Sequence, residues 1–583
     1  MKRFFAHRVN VAKFTWVDAV VALMVFGLLY SVVRLGTGMD VPFSRHDEPH
    51  IYLDWWLLPY YAGRSLLRMA IAFIGSLIFT FVYGRIAARY KAAEKIMIPL
   101  LDILQSVPVL GFMAIAVTPF MDLFPHSLLG VELASIFAIF TSQVWNITFG
   151  FYQSISAMPR ELHEASEMMG LDSYGRFTRL ELPFSMISLV WNGMMSFGGS
   201  WFFLAASEAV TVNNLNIQLP GIGSFMARAI EVGNLTALLE AMLTMIIVIV
   251  LVDQLVWRPL VAWSQKFKLE LSNSSDQPNS WFLQFLRRSK LATWATEELF
   301  SAPFRFVDRL MVRRALRNRD QSGPRRAWSK TSRRTVVVAI LCVLLAFGIY
   351  YGYIGIRSIA EIGLPLILKI ILYGVYTALR VFASTLLALV WTIPVGVAIG
   401  LHPKASRFAQ PLVQIASSFP ANMLFPWVTL LYIDWHVNFQ IGSIPLMMLG
   451  TQWYILFNVI AGATAIPNDL KEATKVLSLS GFERWKRLLL PAVFPYVITG
   501  CITASGGAWN ASILAELVHW KDHTLVASGL GALITQATTH GDLRVTVFCI
   551  AVMAALVTVI NRSIWRPLLR IADDRFRIEI SGR

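Results

Sequence analysis

Charge is scarce in this chain. Only 15% of its 583 residues are Asp, Glu, Lys or Arg, where a soluble domain carries about 25%. Apolar residues reach 56% and mean hydropathy is +0.58, which excludes a string of soluble domains. Cysteine is nearly missing. Cys342, Cys501 and Cys549 lie in or beside apolar runs, offer neither a disulfide framework nor metal-ligand spacing, and read as small packing residues. The sequence also lacks the phosphate-loop pattern GxxxxGK followed by Ser or Thr, an HExxH pair and a nucleophile elbow. The chain is therefore read as no enzyme by itself, with neither cofactor nor metal of its own.

Long apolar runs are what it has instead. A helix crosses about 30 Å of hydrocarbon with about 20 apolar residues, and twelve such stretches are predicted. In the first half they fall near 15–34, 66–88, 97–119, 127–150, 184–208 and 236–257. In the second they fall near 335–356, 372–400, 409–433, 440–463, 492–515 and 543–565. Basic residues gather between runs, at Lys2, Arg3, Arg8 and Lys13, at Arg85, Arg89, Lys91 and Lys95, and at Lys404 and Arg407. Alternate connections are poorer in them, so both termini are expected on the cytoplasmic side of a multi-pass inner membrane protein. The net charge of +16 then reflects membrane topology, and no nucleic-acid partner is implied. The N-terminus has the basic start of a signal peptide but no small-x-small site after its apolar run, so an uncleaved first span is expected.

The chain repeats itself. Residues 145–260 align without a gap onto 453–568 at a constant offset of 308. Pro159/Pro467, Glu164/Glu472, Pro183/Pro491, Trp201/Trp509, Glu208/Glu516 and the WRPL tetrapeptides at 257–260 and 565–568 all match. Upstream the offset becomes 312, as Arg68/Arg380 and Pro108/Pro420 show. Six spans per repeat give both repeats one orientation in the membrane, related by a pseudo-twofold axis with a path between them. The expected division is 1–262, a basic linker over 263–334, and 335–583. The linker holds sixteen Lys or Arg against six Asp or Glu. It fits either an amphipathic helix on anionic lipid or a solvated tether.

Two polar loops carry the functional signal. Residues 164–183 read EASEMMGLDSYGRFTRLELP and 472–491 read EATKVLSLSGFERWKRLLLP. Pro159 and Pro183 are positioned to bound the first loop. Gly170 permits a tight turn, and Glu164 is expected near the start of a short helix, where a carboxylate favours the dipole. Ser478 stands where the second copy would have the glycine.

These loops resemble the EAA loop of ATP-binding-cassette importer permeases, here in duplicate over 159–183 and 467–491. The LDILQSVPVLGF run at 101–112, VQIASSFPANML at 413–424, GGSW and GGAW at 198–201 and 506–509, and LPGIG and SGLGA at 219–223 and 528–532 are similar to the nitrate, sulfonate and taurine group in fused form. The resemblance implies an all-α integral membrane protein of two six-helix permease repeats, importing a small anion by alternating access. It implies two ATPase subunits that hold ATP and magnesium, and a periplasmic binding protein as a further partner. Glu164, Ala165, Gly170 and Pro183, with Glu472, Ala473, Ser478 and Pro491, are the implied coupling residues.

Intramembrane polar groups mark candidate pathways. Glu208 and Glu516 end matching spans, where they either organise an outer gate or face water. Trp201 and Trp509 follow paired glycines and either line the path or pack. Ser106, Ser417, Ser418 and Asn510 offer neutral hydrogen bonds. Arg68 and Arg380 sit at the outer start of a span, and snorkelling to lipid phosphate is favoured over drawing in an anion. Asp102 faces Gln414 in the alignment, so no symmetric role is expected. An ion-coupled secondary transporter also commonly has two parallel six-span repeats, but needs no such loops. A membrane enzyme or sensory scaffold lacks its catalytic or output residues here.

Overall fold

The computed structural model describes residues 15–42, 50–105, 107–212, 215–267, 280–291, 357, 361–479 and 481–576. The span expected at 335–356, Ser106 and most of the linker lie outside them. The chain forms two compact units: Met1–Gly38, Gly150–Asn192 and Leu251–Ile356 make one, and Met39–Phe149, Gly193–Val250 and Arg357–Arg583 the other.

The first repeat contains α1 (Trp16–Thr37), α2 (Leu58–Arg89), α3 (Lys91–Gln105), α4 (Val109–Leu123), α5 (Leu129–Ser156), α6 (Arg160–Met168), α7 (Ser173–Arg176) and α8 (Leu182–Glu208). A hairpin of β1 (Ala209–Val212) and β2 (Leu215–Gln218) follows, then α9 (Ile222–Val232), α10 (Leu235–Val252) and α11 (Arg258–Ser264). In the linker, α12 spans Trp281–Arg288. Its start is capped by Ser280, which accepts from the Leu283 amide at 3.2 Å. Beyond its end, Ser289 Oγ and the Leu291 amide donate to Asp18 of α1 at 2.8 and 2.9 Å. The linker is thus tied to the first span.

The second repeat runs α13 (Leu364–Gly400), α14 (Pro403–Ser418), α15 (Phe425–Asp434), α16 (Phe439–Thr464), α17 (Asn468–Val476), α18 (Gly481–Arg484) and α19 (Leu490–Ala515). It ends with β3 (Leu517–Trp520), β4 (His523–Val526), α20 (Leu530–Thr539), α21 (Leu543–Ile560) and α22 (Arg566–Phe576). Small residues let its helices approach closely. A Cβ on Gly400 would fall 2.6 Å from Ala463 Cβ, and one on Gly500 2.9 Å from Ile455 Cα. The opposite faces present Leu379 and Val390, as lipid contact requires.

Eight helices among the described residues are long and apolar enough to cross a membrane. The third span expected in each repeat is not one helix. Proline lacks the N–H needed to continue and pushes the preceding residue toward extended backbone. α3 accordingly stops before Pro108, which is itself extended at ψ 125°. α14 stops at Phe419, extended at ψ 127°, and a 3-10 turn over Ala421–Leu424 restarts the chain after Pro420.

Rare backbone features recur at the repeat offset. Five-residue π turns occupy Phe177–Glu181 and Trp485–Leu489, and again Asp253–Trp257 and Asn561–Trp565. The two short hairpins were not expected from the sequence. They pair Ala209 with Gln218 and Leu517 with Val526, and each turns the chain back beneath the buried glutamate that precedes it.

Candidate functional site

The end of the bundle near the hairpins is organised by buried ions. Burial of a charge is costly unless it is paired and hydrogen-bonded, and here every charge is met. In the first repeat Arg68 Nε donates to Glu132 Oε2 at 2.5 Å, Nη1 to Glu208 Oε1 at 2.6 Å and Nη2 to Glu132 Oε1 at 2.8 Å. Arg64 also pairs with Glu132. Glu208 accepts from Ser65 Oγ at 2.5 Å and from the Gly223 amide at 2.7 Å. None of these four ionic side chains is exposed.

The second repeat builds the same joint with half the charge. Arg380 Nη1 donates to Glu516 Oε1 at 3.0 Å, and Glu516 also accepts from Thr377 at 2.8 Å and from the Gly531 amide at 2.8 Å. Gln440 stands where the first repeat has Glu132, and accepts from Arg380 Nη2 at 2.5 Å. Tyr376 stands where it has Arg64. Losing one carboxylate and one guanidinium together leaves both clusters neutral.

Two expectations are corrected by this geometry. Arg68 and Arg380 do not snorkel to lipid, because each finds a buried carboxylate within reach. Glu208 and Glu516 do not face water. They hold the glycine segments that follow each hairpin: a Cβ on Gly221 would fall 2.2 Å from Glu208 Cδ, and one on Gly529 2.2 Å from Glu516 Cδ. Glu132, Gln440, Ser65 and Thr377 went unflagged in the sequence, although their matched spacing was available there.

At mid-bundle the helix breaks meet the long helices of the opposite repeat. The Val109 amide, freed by the break at Pro108, donates to Asn510 Oδ1 of α19 at 2.8 Å. At the equivalent break, Ala421 and Phe202 border a cavity of about 40 Å³ that also holds Gly198, Gly199, Ser418 and Tyr454. A Cβ on Gly198 would lie 2.6 Å from Ser418 Oγ, and one on Gly199 2.9 Å from Tyr454 Oη. Trp201 and Trp509 are each 1% exposed, so packing is their role. Asp102 pairs with Arg566, a tie with no symmetric copy.

Each polar loop has the same form. α6 begins after Pro159 and α17 after Pro467, which agrees with proline as a boundary. Pro183 and Pro491 bound nothing. They are the second residues of α8 and α19, inside helical chain that the π turns carry on without a break. Glu164 and Glu472 are each the fifth residue of a nine-residue helix and lie exposed, as do Ala165 and Ala473. The acid in the first turn of α6 is instead Glu161. Gly170 takes the left-handed conformation at φ 66°, and Ser478 takes it too, at φ 53°. Apolar side chains cap both loops. Met168 and Met169 are 90% and 76% exposed, and Val476, Leu477 and Phe482 are 84%, 67% and 79% exposed.

Comparison with known proteins agrees with the repeat. The family profile described as binding-protein-dependent transport system inner membrane component matches residues 80–256 and again residues 392–565. A putative ABC transporter permease protein of Methanocaldococcus jannaschii is 26% identical over 197 residues, 34% of this chain and 68% of its own. The bicarbonate transport system permease protein of Synechococcus elongatus is 31% identical over 141 residues, 24% of this chain and 49% of its own. The nitrate import permease protein of Leptolyngbya laminosa is 25% identical over 195 residues, 33% of this chain and 66% of its own. The chain thus spans between about half and two thirds of the length of these relatives. A chain of the inward-facing MetNI methionine ABC transporter matches at a TM-score of 0.31 and 20% identity, over 36% of this chain and 99% of its own. With the profile matched twice and over more than half its length, the chain belongs to the family of binding-protein-dependent transport system inner membrane components.

Proposed function

We propose that this chain is the fused membrane subunit of an ATP-driven importer, supplying both permease halves, with one separate ATPase subunit docking under each polar loop. The carrying observation is the pair of exposed apolar tips, Met168 with Met169 and Val476 with Leu477. Exposed apolar groups on a short helix outside the spans favour a protein partner. Family membership supplies the expectation of an ATPase and of a binding protein.

The cargo in this reading is a small anion. Relatives named for bicarbonate and nitrate support that class, and the Ser418 and Tyr454 hydroxyls at mid-bundle offer hydrogen bonds without a fixed counter-charge. The loops face the cytoplasm and both termini lie on that side, in agreement with the basic residues there. The ion-coupled alternative gains little from the buried glutamates. Both oxygens of Glu208 are already engaged, which suits a structural joint better than a proton or sodium carrier.

Uptake by membrane vesicles tests the proposal. Nitrate or bicarbonate accumulation that requires ATP, and that falls at least tenfold when Met168 and Val476 are both changed to Asp, is expected. Accumulation driven by an ion gradient without ATP would contradict it.

A further inference from the structure

A second, larger cavity of about 480 Å³ lies at the hairpin end of the bundle. α19 runs from Leu490, beside the second polar loop, to Ala515, and β3 follows at once. The cavity borders β3 and is therefore at the opposite end of α19 from that loop. Met226 of the first repeat and Phe425 of the second are among its apolar walls. Four polar groups on it matter: Asn422, Glu231, His519 and Lys521.

Asn422 is 8% exposed, and its Oδ1 is buried with no hydrogen-bond partner among the described residues. A buried amide without a partner is expensive, so its presence on a cavity wall points to something that completes it intermittently. An amide turned about its last torsion presents either a donor or an acceptor.

Two charged residues line the cavity, Glu231 and Lys521, and among the described residues only Glu231 is paired, at 2.7 Å with Arg228 outside the lining. Burial holds the His519 ring below its usual pKa. Lys521 forms no ion pair with any described residue. Its stem passes over Gly233, where a Cβ would fall 1.6 Å from Lys521 Cε. Its backbone is held in a left-handed turn at φ 49°.

We infer that this cavity is a transit site for monovalent oxyanions, in which Lys521 supplies the charge and Asn422 the hydrogen bonds. One cation balances one anionic charge. A divalent oxyanion would bring a second charge into an apolar cavity with nothing to meet it, and a cation would meet Lys521 with no free carboxylate. The inference deepens the import reading and rests on it for the solute's passage, but its labelling test is independent of transport.

The test uses the full-length chain in lipid vesicles with Asn422→Cys, labelled by an anionic methanethiosulfonate reagent and by its cationic analogue. The natural Cys501 and Cys549 are buried, and the unaltered chain gives the background. The anionic reagent should react about tenfold faster, as steering by a local charge provides. Nitrate or bicarbonate should slow it, sulfate at equal ionic strength should not, and Lys521→Gln should abolish the preference. Equal rates, a faster cationic reagent, or protection by sulfate as strong as by nitrate would overturn the inference. Should Asn422→Cys fail to fold, Lys521→Gln alone decides through uptake in native membranes. A raised half-saturating nitrate or bicarbonate concentration at unchanged maximal rate is expected, and an unchanged value overturns it. A labelling preference without any anion uptake by the unaltered chain would instead contradict the import reading.

Discussion

Arg68 and Glu208 are joined across 2.6 Å with neither side chain exposed, and their counterparts Arg380 and Glu516 are joined across 3.0 Å. The pair fastens the second helix of each repeat to the end of the long helix that leads up from the polar loop. Removing one partner of a buried pair costs about 3–5 kcal/mol, because the other charge is left unmet. Arg380→Met and Glu516→Leu should each lower the thermal midpoint of the purified chain sharply. The double variant should recover much of the loss, a coupling that a double-mutant cycle reads directly.

The glycines against these glutamates are required for space alone. Gly221 and Gly529 have extended backbones at φ −177° and −156°, which any residue can adopt. Their Cβ atoms would nonetheless strike the carboxylates. Gly221→Ala and Gly529→Ala should each destabilise by about 1–3 kcal/mol, the usual cost of overpacking, measured by denaturation in detergent. Gly506→Ala, in open space, should remain near the unaltered chain.

At Ser478 the requirement is conformational. A non-glycine residue in the left-handed region costs roughly 1–2 kcal/mol, and nothing stands close to the equivalent Gly170. Ser478→Gly should therefore slow hydrogen exchange across residues 468–479, and Gly170→Ser should speed it across residues 160–171. The opposite pair of results would mean that the second loop relies on the serine side chain.

Asn510 joins the repeats at a proline break. Its Oδ1 receives the Val109 amide, one of the donors a helix start leaves over. Asn510→Leu strands that amide and should cost about 1–3 kcal/mol. Asn510→Asp, which keeps the acceptor, should cost less. Thermal midpoints of the two variants separate a hydrogen-bonding role from simple filling of space.

Much of this architecture is legible in the sequence because hydropathy and duplication are both loud signals. Spans appear as apolar runs, and the left-handed position at 478 follows from its alignment with Gly170. Ion pairing was harder to see. Arg68 sits where a snorkelling residue would, and its partner Glu132 lies 64 residues away in a helix otherwise read as an ordinary span. Only the joint change of Glu132 to Gln440 and Arg64 to Tyr376 between repeats hints at the pairing. Glu164 is expected near the start of its helix, but α6 starts directly after Pro159, at Arg160, which puts Glu164 in its middle. The π turns and hairpins leave no recognisable period. Asn422 gave no signal because its counterpart, Leu110, is apolar.

The most direct test of the account is what accompanies the chain when it is purified in mild detergent from its native membrane, together with the ATP hydrolysis of that preparation. Two ATPase subunits per chain are expected, lost or uncoupled by Met168→Asp or Val476→Asp while the chain itself stays folded. A chain that carries no ATPase and transports in sealed vesicles on an ion gradient alone would contradict it.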